Sequence, residues 1–186
     1  MRRLLALGAF ATIAAAPPSY HYQLDGARST VTARVSYLAL GSKTAVFPVM
    51  KGSIRITPDR LDDIDLYVEL DARALTAGSK SDTANLRGRD FFDVAHYPAV
   101  TFSGHRMVMT SAVTARLDGA ITARAITRPA SLLITFRDPP ARATGRDPVL
   151  LRATTTIDRR QFGMTAYGWA VGKNVKITID ARLVPG

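Results

Sequence analysis

From Asp63 to Ala72 the chain reads DIDLYVELDA, with Ile64, Leu66, Val68 and Leu70 on one side and Asp63, Asp65, Tyr67, Glu69 and Asp71 on the other. Extended backbone sends successive side chains to opposite faces, so this run is a strand with one buried and one wet face. The pattern recurs near the C-terminus in NVKITIDARLV, where Val175, Ile177, Ile179, Ala181 and Leu183 oppose Lys176, Thr178, Asp180 and Arg182. Similar runs occupy Ser29 to Ala39, Gly52 to Thr57, Ala99 to Val108, Ala112 to Ala125, Ala130 to Arg137 and Val149 to Asp158. This period of two constrains the fold more than any other feature.

Turn chemistry separates the runs at Pro58-Asp59, Asp138-Pro139-Pro140 and Gly172-Lys173-Asn174. Asp118-Gly119 reads either as a tight hairpin or as a glycine bend inside one strand. The alternation stops only between about Ser79 and Asp93, where Ser81 or Asp82 would cap a short helix carrying Ala84, Leu86 and Arg87. The sum is an all-β chain of eight or nine antiparallel strands with one helical crossing. A sheet this large and wet on one face must close into a barrel or stack as a sandwich.

Met1-Arg2-Arg3 followed by LLALGAFATIAAA (Leu4 to Ala16) has the charged start, short apolar run and small-residue end of a secretory signal peptide. The expected division is a signal over residues 1–16, cleaved near 14–16, and a single domain over 17–186. Cysteine is absent, which excludes disulfides, thiolate metal sites and a cysteine nucleophile. The formal net charge is +10, or about +8 without Arg2 and Arg3. Its cations are dispersed, as on a solvated basic exterior, although such a balance also attracts polyanions and anionic membranes. His21, His96 and His105 lie far apart without ligand spacing, so no metal site is expected. No nucleophile elbow, phosphate loop or dinucleotide fingerprint is present.

The inward positions include the small residues Ala33, Gly104, Ala115, Ala123, Ala125 and Ala153 beside larger aliphatics. Small inward residues leave room, and an eight-stranded barrel is wide enough for one ligand. The residues alone leave a ligand cavity and a filled core both open.

The segment NLRGRDFFDVAHYPAVTF (Asn85 to Phe102) resembles the signature of the YceI-like family, with its Asp-Phe-Phe core, Tyr-Pro and Phe-ending strand. LDGAITARAITRPASLLI (Leu117 to Ile134), IDRRQFGM (Ile157 to Met164) and VGKNVKITIDARL (Val171 to Leu183) are similar to further family motifs in the same order. The resemblance implies a lipocalin-like antiparallel β-barrel in the bacterial periplasm. It also implies an interior tunnel for a long polyisoprenoid or isoprenoid-quinone lipid, and no other cofactor. Tyr37 and Asn85 stand where the family often carries histidines, which directs attention to both as ligand contacts.

The candidate cavity and mouth residues are therefore Tyr37, Phe47, Asn85, Phe91, Phe92, Tyr97, Phe102, Phe136, Phe162 and Trp169. Arg159 and Arg160 are candidates for the lipid head group, since guanidinium holds oxyanions bidentately; the competing reading is a charge pair with Asp158 or Asp90. Phe91 and Phe92 would face opposite ways on extended chain and together at a mouth on a helical turn. Asp90 and Asp93 read as capping or turn residues, and Pro98 as the start of the next strand. The expected partners are an amphipathic isoprenoid lipid, a transiently touched membrane surface and, as a homodimer, a second copy of the chain, with no nucleic acid. Two other classes remain: a basic exported protein that binds a polyanion, and an enzyme on a lipid head group with Asp90 or His96 as base.

Overall fold

The computed structural model describes residues 17–38 and 41–186; the expected signal segment, residues 1–16, lies outside them. The strands are β1 (Tyr20–Leu24), β2 (Thr30–Tyr37), β3 (Gly41–Phe47), β4 (Met50–Ile56), β5 (Asp65–Asp71) and β6 (Thr76–Ala77). After helix α1 (Lys80–Arg87) follow β7 (Ala99–Met109), β8 (Thr114–Ala123), β9 (Ile126–Phe136), β10 (Val149–Asp158) and β11 (Val171–Pro185). Every pairing is antiparallel. The order β1-β4-β5-β7-β8-β9-β10-β11 closes through β1–β11 into an eight-stranded barrel. Closure leaves the ring no unpaired edge.

Two of the walls are interrupted strands. β1 and β2 run along β11 in succession, with Leu24 opposite Leu183 and Thr30 opposite Asp180. The extra residues between them form a bulge whose backbone needs are met by Asp25 N–H donating to the Arg182 carbonyl and Arg182 N–H donating to Ser29 Oγ. β3 and β4 are parted by Pro48, which has no N–H for a ladder. Neither β1 nor β3 stands out as an alternating run: YHYQL alternates but is only five residues long, and GSKTAVF carries few apolar positions.

Asp118-Gly119 is not a hairpin. β8 passes straight through it, and β7 opposite shifts register between Gly104 and Arg106. A Cβ at Gly119 would run into the Ser103 carbonyl oxygen and stand 2.8 Å from the Phe102 ring, so close approach of the neighbouring strand requires glycine. The real turn follows at Arg124 and Ala125, both with positive φ. Ala125 is thus an exposed turn residue instead of an inward one.

α1 is shorter than the span in which alternation fails. Ser79, not Ser81 or Asp82, caps it by accepting from Asp82 N–H at 3.0 Å. Asp82 turns to Lys43 on β3 at 2.7 Å, which ties the helix to the barrel and holds the Asp82 carboxyl below its usual range. Beyond Gly88 the chain returns in turns. Asp93 takes a positive φ of 48°, its carbonyl accepts from His96 and Tyr97 N–H, and its carboxylate meets His96 Nδ1 at 3.0 Å.

The inward side chains pack in three groups. One, around Tyr22, Ile56, Met107 and Leu117, occupies the barrel end away from α1. The others, around Phe47 and Leu75 and around Ile121 and Phe162, sit toward the α1 end.

Candidate functional site

The groups leave space between them. A cavity of about 170 Å³ is lined by residues from Ile56 and Ile64 at one end to Phe92, Phe162 and Met164 at the other. Its wall is made by the inward sets read from the alternation: Leu66, Val68 and Leu70 of β5, and Val175, Ile177, Ile179, Ala181 and Leu183 of β11. Ala33, Ala123 and Ala153 also line it, so the small residues on three separate walls do give room. A cavity of this size with such a lining stays dry and favours apolar occupants.

Among the described residues, Arg159 is the one charged side chain in that wall. It is 4% exposed. A cation cannot be buried without partners except at high cost, and three carbonyls supply them. Nη1 donates to Met164 O at 2.6 Å, Nη2 to Val171 O at 2.9 Å and Nε to Gly172 O at 3.0 Å. The Phe91 ring lies 5.8 Å from the guanidinium carbon. Burial lowers the Arg159 pKa from its ordinary value, yet the group stays charged because its starting value is so high. The three carbonyls bracket the segment from Met164 to Gly172, so Arg159 fastens a loop while facing the cavity. Guanidinium has five donors, of which three are committed to these carbonyls.

Local structure aims this side chain. Asp158 ends β10 and caps a 3₁₀ turn by accepting from Arg160 N–H, and Gly163 stops the turn with φ 75°, a left-handed conformation natural to glycine. Phe162, within the turn, is buried in the wall. Arg160 points elsewhere, with Nη2 donating to Asp158 Oδ2 at 2.7 Å in an exposed pair. The pairing with Asp158 therefore holds for Arg160, while Arg159 takes carbonyl partners.

The aromatic candidates divide. Phe47, Phe92, Phe102, Phe136 and Phe162 line the cavity, with Phe92 meeting Phe47 edge to face at 5.6 Å. Phe91 does not line it. The turn splits the pair, and Phe91 is buried against Tyr167, ring planes 5° apart and centroids 6.0 Å apart. Tyr37, Asn85, Tyr97 and Trp169 also lie outside the wall. Tyr37 carries Lys43 Nζ 4.8 Å from its ring centroid. Asn85 is exposed on α1, Tyr97 packs beside His96 in the return loop, and Trp169 is 81% exposed. Tyr37 shares the inward face of Val31 and Ala33 but stands at the last position of β2, past the lined cavity, whereas Asn85 is exposed on α1. Sequence reasoning passed over most of the aliphatic wall, although the alternation signals it. Asp90 and His96 are both exposed and outside the cavity. No cluster of three potential metal ligands occurs among the described residues.

A closed antiparallel barrel of eight strands around a continuous apolar cavity defines the architectural class. The YceI-like domain model matches residues 22–183, and the chain belongs to the YceI-like family. Curated relatives include a UPF0312 protein of Pseudomonas putida, 24% identical over 166 residues, covering 88% of this chain and 86% of that one. Another, from Pseudomonas savastanoi pv. phaseolicola, is 25% identical over 171 residues with the same coverages. Among solved structures, Burkholderia cenocepacia BcnA superposes with a TM-score of 0.75 at 17% identity, covering 86% of this chain and 98% of that one. A polyisoprenoid binding domain from Saccharophagus degradans, implicated in plant cell wall breakdown, gives a TM-score of 0.68 at 12% identity and coverages of 89% and 98%. At these identities the likeness establishes the shared fold.

Proposed function

We propose that the protein is an exported, periplasmic carrier that buries the chain of a long amphipathic polyisoprenoid or isoprenoid quinone inside its barrel. The observation that carries this is a cavity walled by aliphatic and aromatic side chains along the barrel, with a single buried cation at one end. Each methylene removed from water contributes about 0.8 kcal/mol, so a long tail needs a lined slot and little polar grip. The part of β11 that lines the cavity, Val175 to Leu183, spans about 27 Å at ~3.4 Å per residue, a wall along which an extended tail can lie. The two unused donors of Arg159 suit a head-group oxygen, either a quinone carbonyl or a phosphate. The polyisoprenoid binding domain of the same fold supports this ligand class.

Binding is passive: the tail enters the barrel, the head stays at the α1 end, and delivery goes through transient contact with a membrane. The test is mass spectrometry of an organic extract of the natively purified protein. A stoichiometric isoprenoid lipid is the expected result. Recovery of no lipid from a protein that also fails to take up an added isoprenoid quinone refutes the reading.

A further inference from the structure

The loops around Arg159 carry an exposed feature that the cavity does not explain. Trp169 is 81% exposed, Leu38 49% and Tyr167 48%. Leu38 N–H donates to the Ala170 carbonyl at 2.8 Å, and Tyr37 pairs with Val171, so the end of β2 with Leu38 and the 163–172 segment form one tip. Phe91, stacked on Tyr167, and Arg159, bonded to three carbonyls, hold this tip against the barrel. Three large apolar side chains at one point differ from the singly scattered exposed residues that every surface carries.

Cations of one sign flank the tip. The sequence holds no Asp or Glu between Asp25 and Asp59, nor between Asp158 and Asp180. These two acid-free stretches are neighbours through the β2–β11 ladder. Arg34 stands directly opposite Lys176 in it, both exposed, and Lys173 follows nearer the tip. None of the three forms an ion pair among the described residues. Of the carboxylates nearby, Asp158 is held by Arg160 and Asp82 by Lys43, while Asp90, next to Phe91, is exposed. Like charges directly across a ladder repel, and an external anion relieves that repulsion. The opposite barrel end is mixed in charge: one connection holds Asp59, Asp62 and Asp63 beside Arg60, and another holds Arg137, Arg142 and Arg146 beside Asp138 and Asp147.

We propose that this tip docks on the surface of an anionic lipid bilayer. Trp169, Leu38 and Tyr167 enter the interfacial layer, where amphipathic aromatics are favoured, while Arg34, Lys173 and Lys176 face the anionic head groups. Docking sets the Arg159 end of the cavity at the membrane. The proposal rests on the carrier reading for its purpose and on the tip alone for its geometry.

The chain has one tryptophan, so its fluorescence reports this tip specifically. The experiment mixes purified protein with vesicles of phosphatidylglycerol and phosphatidylcholine, or of phosphatidylcholine alone, and follows Trp169 emission and co-sedimentation. Expected are a shift of emission to shorter wavelength and sedimentation with the anionic vesicles only, weakened by salt. Lys173→Glu/Lys176→Glu should weaken binding at least about tenfold, since each cation near an anionic surface is worth roughly fivefold. Leu38→Ser/Trp169→Ser should abolish sedimentation while thermal unfolding stays unchanged, because both side chains point to solvent.

No emission shift on anionic vesicles, or sedimentation indifferent to both variants, overturns the proposal. An emission shift that grows with protein concentration without vesicles assigns the tip to a second copy of the chain and overturns it as well. Lipid recovery separates the two readings: a vesicle-blind variant that still carries lipid keeps the cavity function, and a lipid-free protein that docks normally keeps only the docking.

Discussion

Replacing Arg159 by methionine removes the guanidinium while keeping an unbranched side chain of similar length. The substitution strands the carbonyls of Met164, Val171 and Gly172, each now served by an N–H···O bond of 2.6–3.0 Å. A lost bond to a charged donor costs about 1.5–3 kcal/mol. Two effects offset that sum: water can reach carbonyls near a surface loop, and the cation's burial cost disappears. The net expectation is about 2–3 kcal/mol, a large part of the roughly 5–15 kcal/mol of a typical domain. Urea unfolding should show a lower midpoint with an unchanged slope. Amide exchange should quicken locally at Leu38, whose N–H donates to Ala170 O, and at Val171, whose N–H donates to Tyr167 O. Arg159→Lys should recover only part of the loss, because one ammonium cannot span three carbonyls as a planar fork does. A midpoint equivalent to less than about 0.5 kcal/mol of change, with Leu38 exchange as in the wild type, would show that the carbonyl ring does not fasten the loop.

Other perturbations probe separate parts of the molecule. Gly119→Ala should lower the melting temperature, with a cost of about 1–3 kcal/mol, since the added Cβ meets the Ser103 carbonyl and the Phe102 ring; an unchanged melting point would mean that β7 yields without strain. Ala153→Leu, which fills the wall of the cavity, should sharply reduce recovered lipid while leaving the circular dichroism of the barrel intact, and a full lipid load would exclude this cavity as the binding place. The Asp158 carboxyl, held chiefly by its hydrogen bond from Arg160, should titrate at about 2 in carbon-detected NMR, against an ordinary 3.8. Because that pKa is depressed in the folded state, its contribution to stability is present above the ordinary value and is lost as pH falls through about 2. Arg160→Gln should return the midpoint toward 3.8, and an unchanged midpoint would mean that another group holds the carboxylate.

Much of this architecture is written locally in the chain. Residue alternation depends only on extended backbone, so Ile64 to Leu70 and Val175 to Leu183 reveal which side chains face inward before any partner strand is known. The small residues on several runs likewise announce spare volume, and Ala33, Ala123 and Ala153 supply it. Ala125 departs because turn geometry at Arg124-Ala125 overrides the face that strict alternation assigns.

What the tertiary structure decided depends on which distant strands meet. Only the β1–β11 pairing turns a possible sandwich into a closed ring, and that pairing joins opposite ends of the domain. Phe91 and Phe92 are identical neighbours in the sequence, yet packing sends one to Tyr167 and the other to Phe47 and the cavity. Arg159 and Arg160 part in the same way: one meets three backbone carbonyls, and the other meets the carboxylate that ends the preceding strand. A residue's type sets which partners it can accept, whereas chain closure sets which partners arrive.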